Sequence, residues 1–596
     1  MTLASGDQPN VSQGAALMER TVTGTCLVSG SATGQVIHSD VPLSFWGGVD
    51  PSTGVVIDKH HPLHGELLTG RVVAIPGGRG SCGGSATIFE MLLNGTAPAA
   101  LVFSRRETIL TVGVLIADEM FDRRIPVLQV DGATLTELAT AGVVTVHDGT
   151  IADGDDGSDF RSESAPMDRV GVTLSPLDQQ LLDGDFGEAA QIAMRIIIRA
   201  ASLEGSTRLI DVERAHVDGV FYQGPGSLTF ATTLRDLGAR VRIPATSNPI
   251  CVDRVRWRGL GVPAAMGEPS EQLADAYLAM GVKPTYTCAP YLLRDRPRRG
   301  QQIASGESNA VVYLNSVIGA RTMKYPNYLD LLLAITGRAP DAGPHRAANR
   351  RPTVRFDVAV LGYVDDSFYP LLGYHIGKIA PDDIPVICGL ESWPVTEDNL
   401  KNFGAAFATT SAAPMYHIIG VTPEAADHQQ TIDEIPRSQS HHVQAADLLE
   451  TWREISSGSE PEVGLVSIGT PHASLNEITT LVTLIQDQRK NADVPLIITT
   501  GREIYAEARA VGHVAAIEQF GGRFINDTCW CLIEEPIVPS TARSIVTNSG
   551  KYAHYGAAKH SRGMHLRSLR DCVEAACTGL VDLRTPPWLS GLTSFD

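Results

Sequence analysis

Aromatic residues make up only 6% of the 596-residue chain, and no stretch approaches the roughly 20 consecutive apolar residues that a membrane helix needs. That lack argues against a bilayer-spanning protein. The first residues, MTLASGDQPNVSQG, show no basic segment followed by an apolar core, so no signal peptide is expected and the chain is expected in the cytoplasm. Basic residues are scarce as well: 48 Lys and Arg stand against 67 Asp and Glu, a formal charge of −19. A nucleic-acid binder wants a clustered basic face. The two basic stretches, DRPRRGQQ (295–302) and HRAANRR (345–351), lack interleaved aromatics and read as solvated loops, so nucleic acid is not an expected partner. Nine cysteines, an odd number without a secretory signal, do not make a disulfide framework. Cys26, Cys572 and Cys577 read as small buried hydrophobes.

What is present divides the chain. Residues 1–19 read as a disordered N-terminus and 20–150 as a small β-rich domain with one clear helix. The acidic, polar stretch 151–169 reads as a linker, and 170–596 as a large body. In the body, helical periods alternate with short apolar runs such as VAVLGYV (358–364), GLVSIG (464–469) and PLIITTG (495–501). The fold class expected is α/β: a small β/α domain joined to a large α/β body of mainly parallel strands. The polar stretches 338–352 and 427–446 read as long surface loops.

The chemistry concentrates first in IPGGRGSCGGSATIFEMLLNG (75–95). RVVAIP (71–76) reads as a buried strand; Ala86, Phe89 and Leu93 share a helical stripe, and Gly95 stands where a left-handed cap is usual. A glycine-rich turn between strand and helix points backbone N–H groups at an anion. Gly78, Gly80 and Gly83 satisfy G-x-G-x-x-G, which opens the reading of an NAD(P)-binding oxidoreductase, although no acidic residue ends the next strand, ALVFSRR (100–106). A nucleophile elbow is excluded because Arg79 stands in the first glycine position of G-x-S-x-G two residues ahead of Ser81. A carboxylate or oxyanion site in which Ser81 acts on substrate, and a tight turn without ligand, stay open beside it. His60, His61 and His64 in KHHPLHG imitate a metal cluster, but Pro62 breaks the helical spacing that would join them.

The stretch LSFWGGVDPSTGVVIDKHHPLHGELLTGRVVAIPGGRGSCGGS, followed by GTAPAALVF, resembles the swivel domain of the aconitase X family. YTCAPY (286–291), GESNAVVYLNSVIGARTMKYPNYLDLLLAITGR (306–338), FGAAFATTSAAPMYHIIGVTPEA (403–425), GTPHASLNEI (469–478), INDTCW (525–530) and SGKYAHY (549–555) resemble its catalytic domain, in order. The resemblance spans about 25–590 and implies a swivelling domain on an aconitase-like catalytic body, with a cleft between them. It implies a hydro-lyase in which Ser81 takes a proton from a small carboxylate substrate, with Arg79 and Gly80 holding the carboxylate. It also implies an iron–sulfur cluster, with Cys288 and Cys529 as ligands. Thr470 stands where the two-chain archaeal branch has a cysteine, so a third ligand is sought in Cys388, with Cys531 next, and the cluster expected is [2Fe–2S]. Ser308, Asn309, Asn315, Arg321, Lys551 and His554 are the implied substrate contacts, with His216, His417 and Glu391 as further candidates. One-chain members of this kind dehydrate cis-3-hydroxy-L-proline to Δ1-pyrroline-2-carboxylate; the two-chain branch acts on mevalonate 5-phosphate, and other small hydroxy acids remain alternatives. A monomer with both domains fused is expected. An iron–sulfur sensing protein is the remaining reading outside the enzyme class.

Overall fold

A computed structural model describes residues 21–154, 171–359 and 362–590. The expected disordered segment 1–19 lies outside the described residues, as does most of the expected linker. The N-terminal unit is built on an eight-stranded mixed sheet. Its centre is four parallel strands, Ser31–His38, Val72–Ile75, Ala100–Phe103 and Val127–Gln129, flanked by antiparallel pairs. Val72–Ile75 and Ala100–Phe103 are buried on both faces, as short runs of apolar and β-branched residues require in a covered parallel sheet. Helices Gly84–Asn94 and Ile109–Phe121 pack on each other beside it, and Gly95 closes the first with φ 77°. The last strand, Thr150–Asp153, pairs in this sheet, so the domain continues past 150 into the start of the expected linker.

Among the described residues the body contains three parallel sheets of three, four and five strands, and one antiparallel pair. The five-stranded sheet runs Gly522–Ile525, Leu496–Thr499, Leu465–Ile468, Ser544–Thr547, Gly563–Leu566. The three-stranded sheet joins Ala245–Ser247, Ala215–Val217 and Ala304–Ser305. Among the described residues no helix is long and apolar enough to cross a membrane.

Three local expectations need correction. The strand expected at 358–364 lies earlier, at Val354–Val358, where alternating burial lets Val354, Phe356 and Val358 face the core. Residues 338–352 are not a surface loop: Arg338–Pro340 is a strand, and Arg350 is 1% exposed because its guanidinium pairs with Glu424 at 2.7 Å. The stretch 427–446 includes the parallel edge strand Ser440–Val443. In 338–352 polar composition misled because Arg338 and Arg350 are buried in ion pairs with Asp178 and Glu424.

The small domain is docked on the body. One continuous hydrophobic cluster contains Phe89 and Val114 from the former and Ile196, Phe230 and Tyr328 from the latter. Glu90 accepts backbone hydrogen bonds from Gly226 and Ser227 at 3.1 Å each, at the start of helix Pro225–Asp236.

Candidate active site

Ser81 follows the strand Val72–Ile75 and stands at the N-terminal end of helix Gly84–Asn94. Its Oγ accepts the Gly83 N–H at 3.1 Å. An oxygen at that end of a helix sits in positive potential, which favours its ionised form. Gly80 has φ 77°, a left-handed conformation that a side chain would strain. A Cβ on Gly80 would stand 3.2 Å from both the Thr409 carbonyl and the Tyr555 hydroxyl, and one on Gly83 would stand 2.5 Å from the Trp46 ring. The glycines therefore admit protein, not a pyrophosphate, and the space a dinucleotide would need is filled; the oxidoreductase reading is set aside. Arg79 is held by Asp58, Nη2 to Oδ2 at 2.9 Å. The body fixes the loop by Asn327, whose N–H donates to the Cys82 carbonyl at 3.2 Å.

Facing this loop, Cys288, Cys529 and Cys531 pack with Tyr555 in a small buried group edged by Trp46 and Leu532. The Cys529 thiol is hydrogen-bonded with both Cys288 and Cys531; the bond with Cys288, aided by burial, raises its pKa against the opposing effect of Cys531. Cys529 follows the strand Gly522–Ile525 on a loop turned by Asp527 at φ 65°; Asp527 binds Arg502, and its carbonyl accepts the Ile250 N–H at 2.8 Å. Cys288 follows Tyr286, at φ 41°, and its sulfur accepts the His472 N–H at 3.3 Å. Cys388 is not part of the group. It ends the strand Pro385–Cys388 of the four-stranded sheet, half-buried, with Arg355, Asp357 and Glu391 as its charged neighbours. Cys531, the second choice, is the third cysteine of the group. Among the described residues no three metal-type donors are closed on a common point. The donor chemistry nevertheless fits an iron–sulfur cluster: three soft sulfurs, mutually adjacent and buried. The Thr470 Oγ1 is buried and lacks a hydrogen-bond partner.

Charge is concentrated beside the sulfurs. Lys551 Nζ donates to Glu307 Oε1 at 2.9 Å, and both are more than nine-tenths buried. Burial works against the charge on Lys551, but the Glu307 carboxylate outweighs it and holds the ammonium well above its usual pKa. Glu307 also accepts from Asn248 Nδ2 at 2.9 Å and from Asn309, which Tyr291 orients through a 3.1 Å bond. Burial, reinforced by Glu307 and Asp330, raises the Asp218 carboxyl far above the carboxylate range. Lys324 donates to the Ser411 carbonyl at 3.0 Å, and burial lowers its pKa. His554 bonds the Tyr374 hydroxyl at 2.9 Å and stacks on His60; burial lowers its pKa to about 3, so it is neutral at physiological pH.

Of the sequence-predicted residues, Arg79, Gly80, Ser81, Cys288, Cys529, Lys551 and His554 come together, with Ser308 and Asn309 opening the helix beside Glu307. Asn315 does not. Its amide is used up on Thr322, Pro414 and Arg350 inside the core, so it is structural. Arg321 donates to the His345 carbonyl at 3.2 Å, and His417 to that of Arg350 at 2.7 Å. Glu391 is exposed and accepts the Gly389 N–H. His61 bonds the Val41 carbonyl and the Leu63 N–H, which binds it into a turn instead of a metal site. His216 bonds Thr246 and Asn248 and so reaches Glu307 only through Asn248. Sequence reasoning missed Asp58, Trp46, Glu307, Lys324 and Tyr555. Tyr555 had a signal: it is four residues from Lys551 and so on the same face of helix Gly550–His560.

The candidate residues lie at the carboxyl ends of parallel strands, where open α/β sheets bind ligands. Cys529 and Lys551 follow strands of the five-stranded sheet, and Asp218, Asn248 and Glu307 those of the three-stranded one. A cavity of about 320 Å³ opens between the two domains against Trp46, Phe221, Cys531 and Tyr555. A larger one, about 520 Å³, is lined by Asp365, Asp366, Asp398 and Asp571 and holds none of these residues.

Four family models match the chain: the aconitase X swivel domain over residues 21–152 and its first, second and third domains over 171–348, 352–453 and 463–578. A cis-3-hydroxy-L-proline dehydratase of Hypocrea jecorina is 48% identical over 577 residues, covering 95% of this chain and 97% of that protein. One of Pseudomonas aeruginosa is 47% identical over 567 residues, covering 95% and 98%. Among solved structures, the holo-form of Thermococcus kodakaraensis aconitase X superposes with a TM-score of 0.61 at 31% identity, covering 68% of this chain and all of that one.

Proposed function

The chain belongs to the aconitase X family, and from that premise we propose that it is an iron–sulfur hydro-lyase dehydrating cis-3-hydroxy-L-proline to Δ1-pyrroline-2-carboxylate. The observation that carries the reading is the docking of the Ser81 loop of one domain over the Cys288, Cys529 and Cys531 group of the other. The two full-length relatives that bear this activity in their names support the substrate.

The C2 proton is weakly acidic and hydroxide leaves poorly, so the reaction asks for a positioned base, cations on the carboxylate and help at the leaving oxygen. Ser81 is the base. Its alkoxide is stabilised by the Gly83 N–H and the helix end. Arg79, oriented by Asp58, and the loop N–H groups take the carboxylate. The C2–H electron pair passes first into the carboxylate and then forms the C2=C3 bond as the C3–O bond breaks, and Lys551, held charged by Glu307, is the donor at the departing oxygen. The enamine released then moves its N–H proton to C3, giving the cyclic imine. When bound by Cys288, Cys529 and Cys531, an iron–sulfur cluster, which this reading takes as [2Fe–2S], supplies a Lewis acid for the hydroxyl. Closure of the small domain excludes water from the site. The reading places the enzyme in the cytoplasm as a single chain without a partner subunit.

Incubation of anaerobically purified, iron-loaded protein with cis-3-hydroxy-L-proline, followed by trapping with an aromatic amino-aldehyde, should give the coloured adduct of a cyclic imine. Ser81→Ala should lose turnover with folding and iron content unchanged. Iron-loaded wild type that yields no adduct defeats the substrate assignment and sends the search to mevalonate 5-phosphate and other hydroxy acids. A ratio of two irons to two acid-labile sulfides per chain checks the cluster type.

A further inference from the structure

Tyr555 joins the two halves of the site. Its ring packs with the three cysteines and lies edge-on to Trp46, with centroids 4.9 Å apart, while its hydroxyl reaches across to the serine loop. There it stands 3.2 Å from the place a Cβ on Gly80 would take, one residue from Ser81. Arg79 and Asp58 from one domain and Lys551 and Cys531 from the other all act electrostatically on it. The residue is 6% exposed, yet its hydroxyl makes no hydrogen bond among the described residues. Other tyrosines beside the site use that group within the protein. Tyr291 gives its hydroxyl hydrogen to Asn309, and Tyr374 bonds His554. The Tyr555 hydroxyl instead stands beside the catalytic loop on a residue that lines the cavity between the domains, where a substrate oxygen can reach it.

The chemistry says which oxygen. Resting on the functional reading above, removal of the C2 proton by Ser81 leaves the C–H electron pair on C2. The pair spreads into the carboxylate, which becomes an enediolate with a second negative charge, before it expels the C3 oxygen. Arg79 and the Gly80–Gly83 loop hold the carboxylate on the same side of the site as the Tyr555 hydroxyl. We propose that Tyr555 is a further catalytic residue, its hydroxyl donating a hydrogen bond to the substrate carboxylate that strengthens as the enediolate forms. The phenol keeps its proton throughout. A donor of this kind is preorganised for charge that develops only in the transition state, so its loss lowers kcat more than it changes KM.

The test compares wild type with Tyr555→Phe, which keeps the ring against Trp46 and the cysteines and removes only the oxygen. Both are assayed iron-loaded with cis-3-hydroxy-L-proline and with the same compound deuterated at C2. The proposal expects Tyr555→Phe to retain iron content, visible spectrum and melting temperature. It expects kcat to fall about 10²–10³-fold, KM to stay within about threefold, and the C2 deuterium isotope effect on kcat to be at least as large as in wild type. Activity within about threefold of wild type overturns it. So does a large loss of kcat with a smaller isotope effect, because the hydroxyl would then serve C–O cleavage. Loss of iron or a lowered melting temperature assigns Tyr555 a structural role and also overturns it. Wild type inert toward the substrate defeats the functional reading itself, an outcome distinct from a variant that matches an active wild type.

Discussion

At the residue scale, the site depends on atoms whose neighbours come from far away in the chain. Lys551 takes its charge from Glu307, 244 positions earlier, and the sulfur of Cys288 receives a hydrogen bond from His472, 184 positions later. The cysteines separate on the same ground. Cys531→Ala should lower the iron bound per chain as severely as Cys288→Ala, whereas Cys388→Ala should leave iron content and visible spectrum unchanged. Iron retained by Cys531→Ala, measured by chelator assay on anaerobic protein, would remove it from the ligand set. Gly83 offers a second residue-scale expectation. Its missing side chain admits the Trp46 ring of the same domain, so Gly83→Ala must push the loop or that ring out of place. A displacement of about 1 Å at a reacting atom costs on the order of 100-fold in rate. The variant should therefore lose turnover by that order with its iron retained, which steady-state kinetics and iron assay would check together.

At the scale of single elements, helix Gly550–His560 shows how local geometry presents chemistry. Lys551, His554 and Tyr555 fall three and four residues apart and meet on one face, looking into the cleft. Helix Ile109–Phe121 depends on a carboxylate at its entrance. Glu107 accepts the N–H groups of Leu110 and Thr111, and burial pushes its pKa from 4.5 up to about 7. The folded protein thus holds a proton that the unfolded chain releases above 4.5. Stability from this group is greatest below that pH and falls as pH rises toward 7, by up to about 1.4 kcal/mol per pH unit. Glu107→Gln removes the titration. The wild type should lose stability relative to the variant between pH 4.5 and 7, with a constant difference above; chemical denaturation midpoints across that window that move in parallel would contradict it.

At the scale of the whole molecule, the small domain is closed onto the body through a shared apolar core and a few polar latches. Glu90 occupies the start of helix Pro225–Asp236, and Arg199 of the body pairs with Asp118 at 2.9 Å. Glu90 carries the seal most directly, because Cβ atoms on Gly224 or Gly226 would collide with its carboxylate. Glu90→Ala should leave the sheets of both domains intact but expose the amides of Gly226 and Ser227 to solvent. Hydrogen exchange at 224–228 should accelerate at least tenfold, and kcat should fall with it. Unchanged exchange would mean that the apolar core alone keeps the domains together.

Much of this was legible in the sequence, and the division follows the range of the forces. The strand, glycine turn and helix around Ser81 are encoded within 25 consecutive residues, and backbone sterics and apolar periodicity act at that distance. Long motif-by-motif resemblance then carried the family and the placing of Cys288, Cys529 and Lys551. Which polar side chain points into the cleft was not encoded locally. Asn315 and Arg321 sit in the same quoted stretch as Asn309, yet their partners lie in the core, and Cys388 ends a strand as plausible as any other until the sheets are separated in space. Cys531 and Tyr555 gain their meaning only from contacts across the domain boundary, and Asp58 from its pairing with Arg79. Composition and periodicity determined the α/β elements. Only packing, which pairs groups hundreds of residues apart and removes them from water, decided the site.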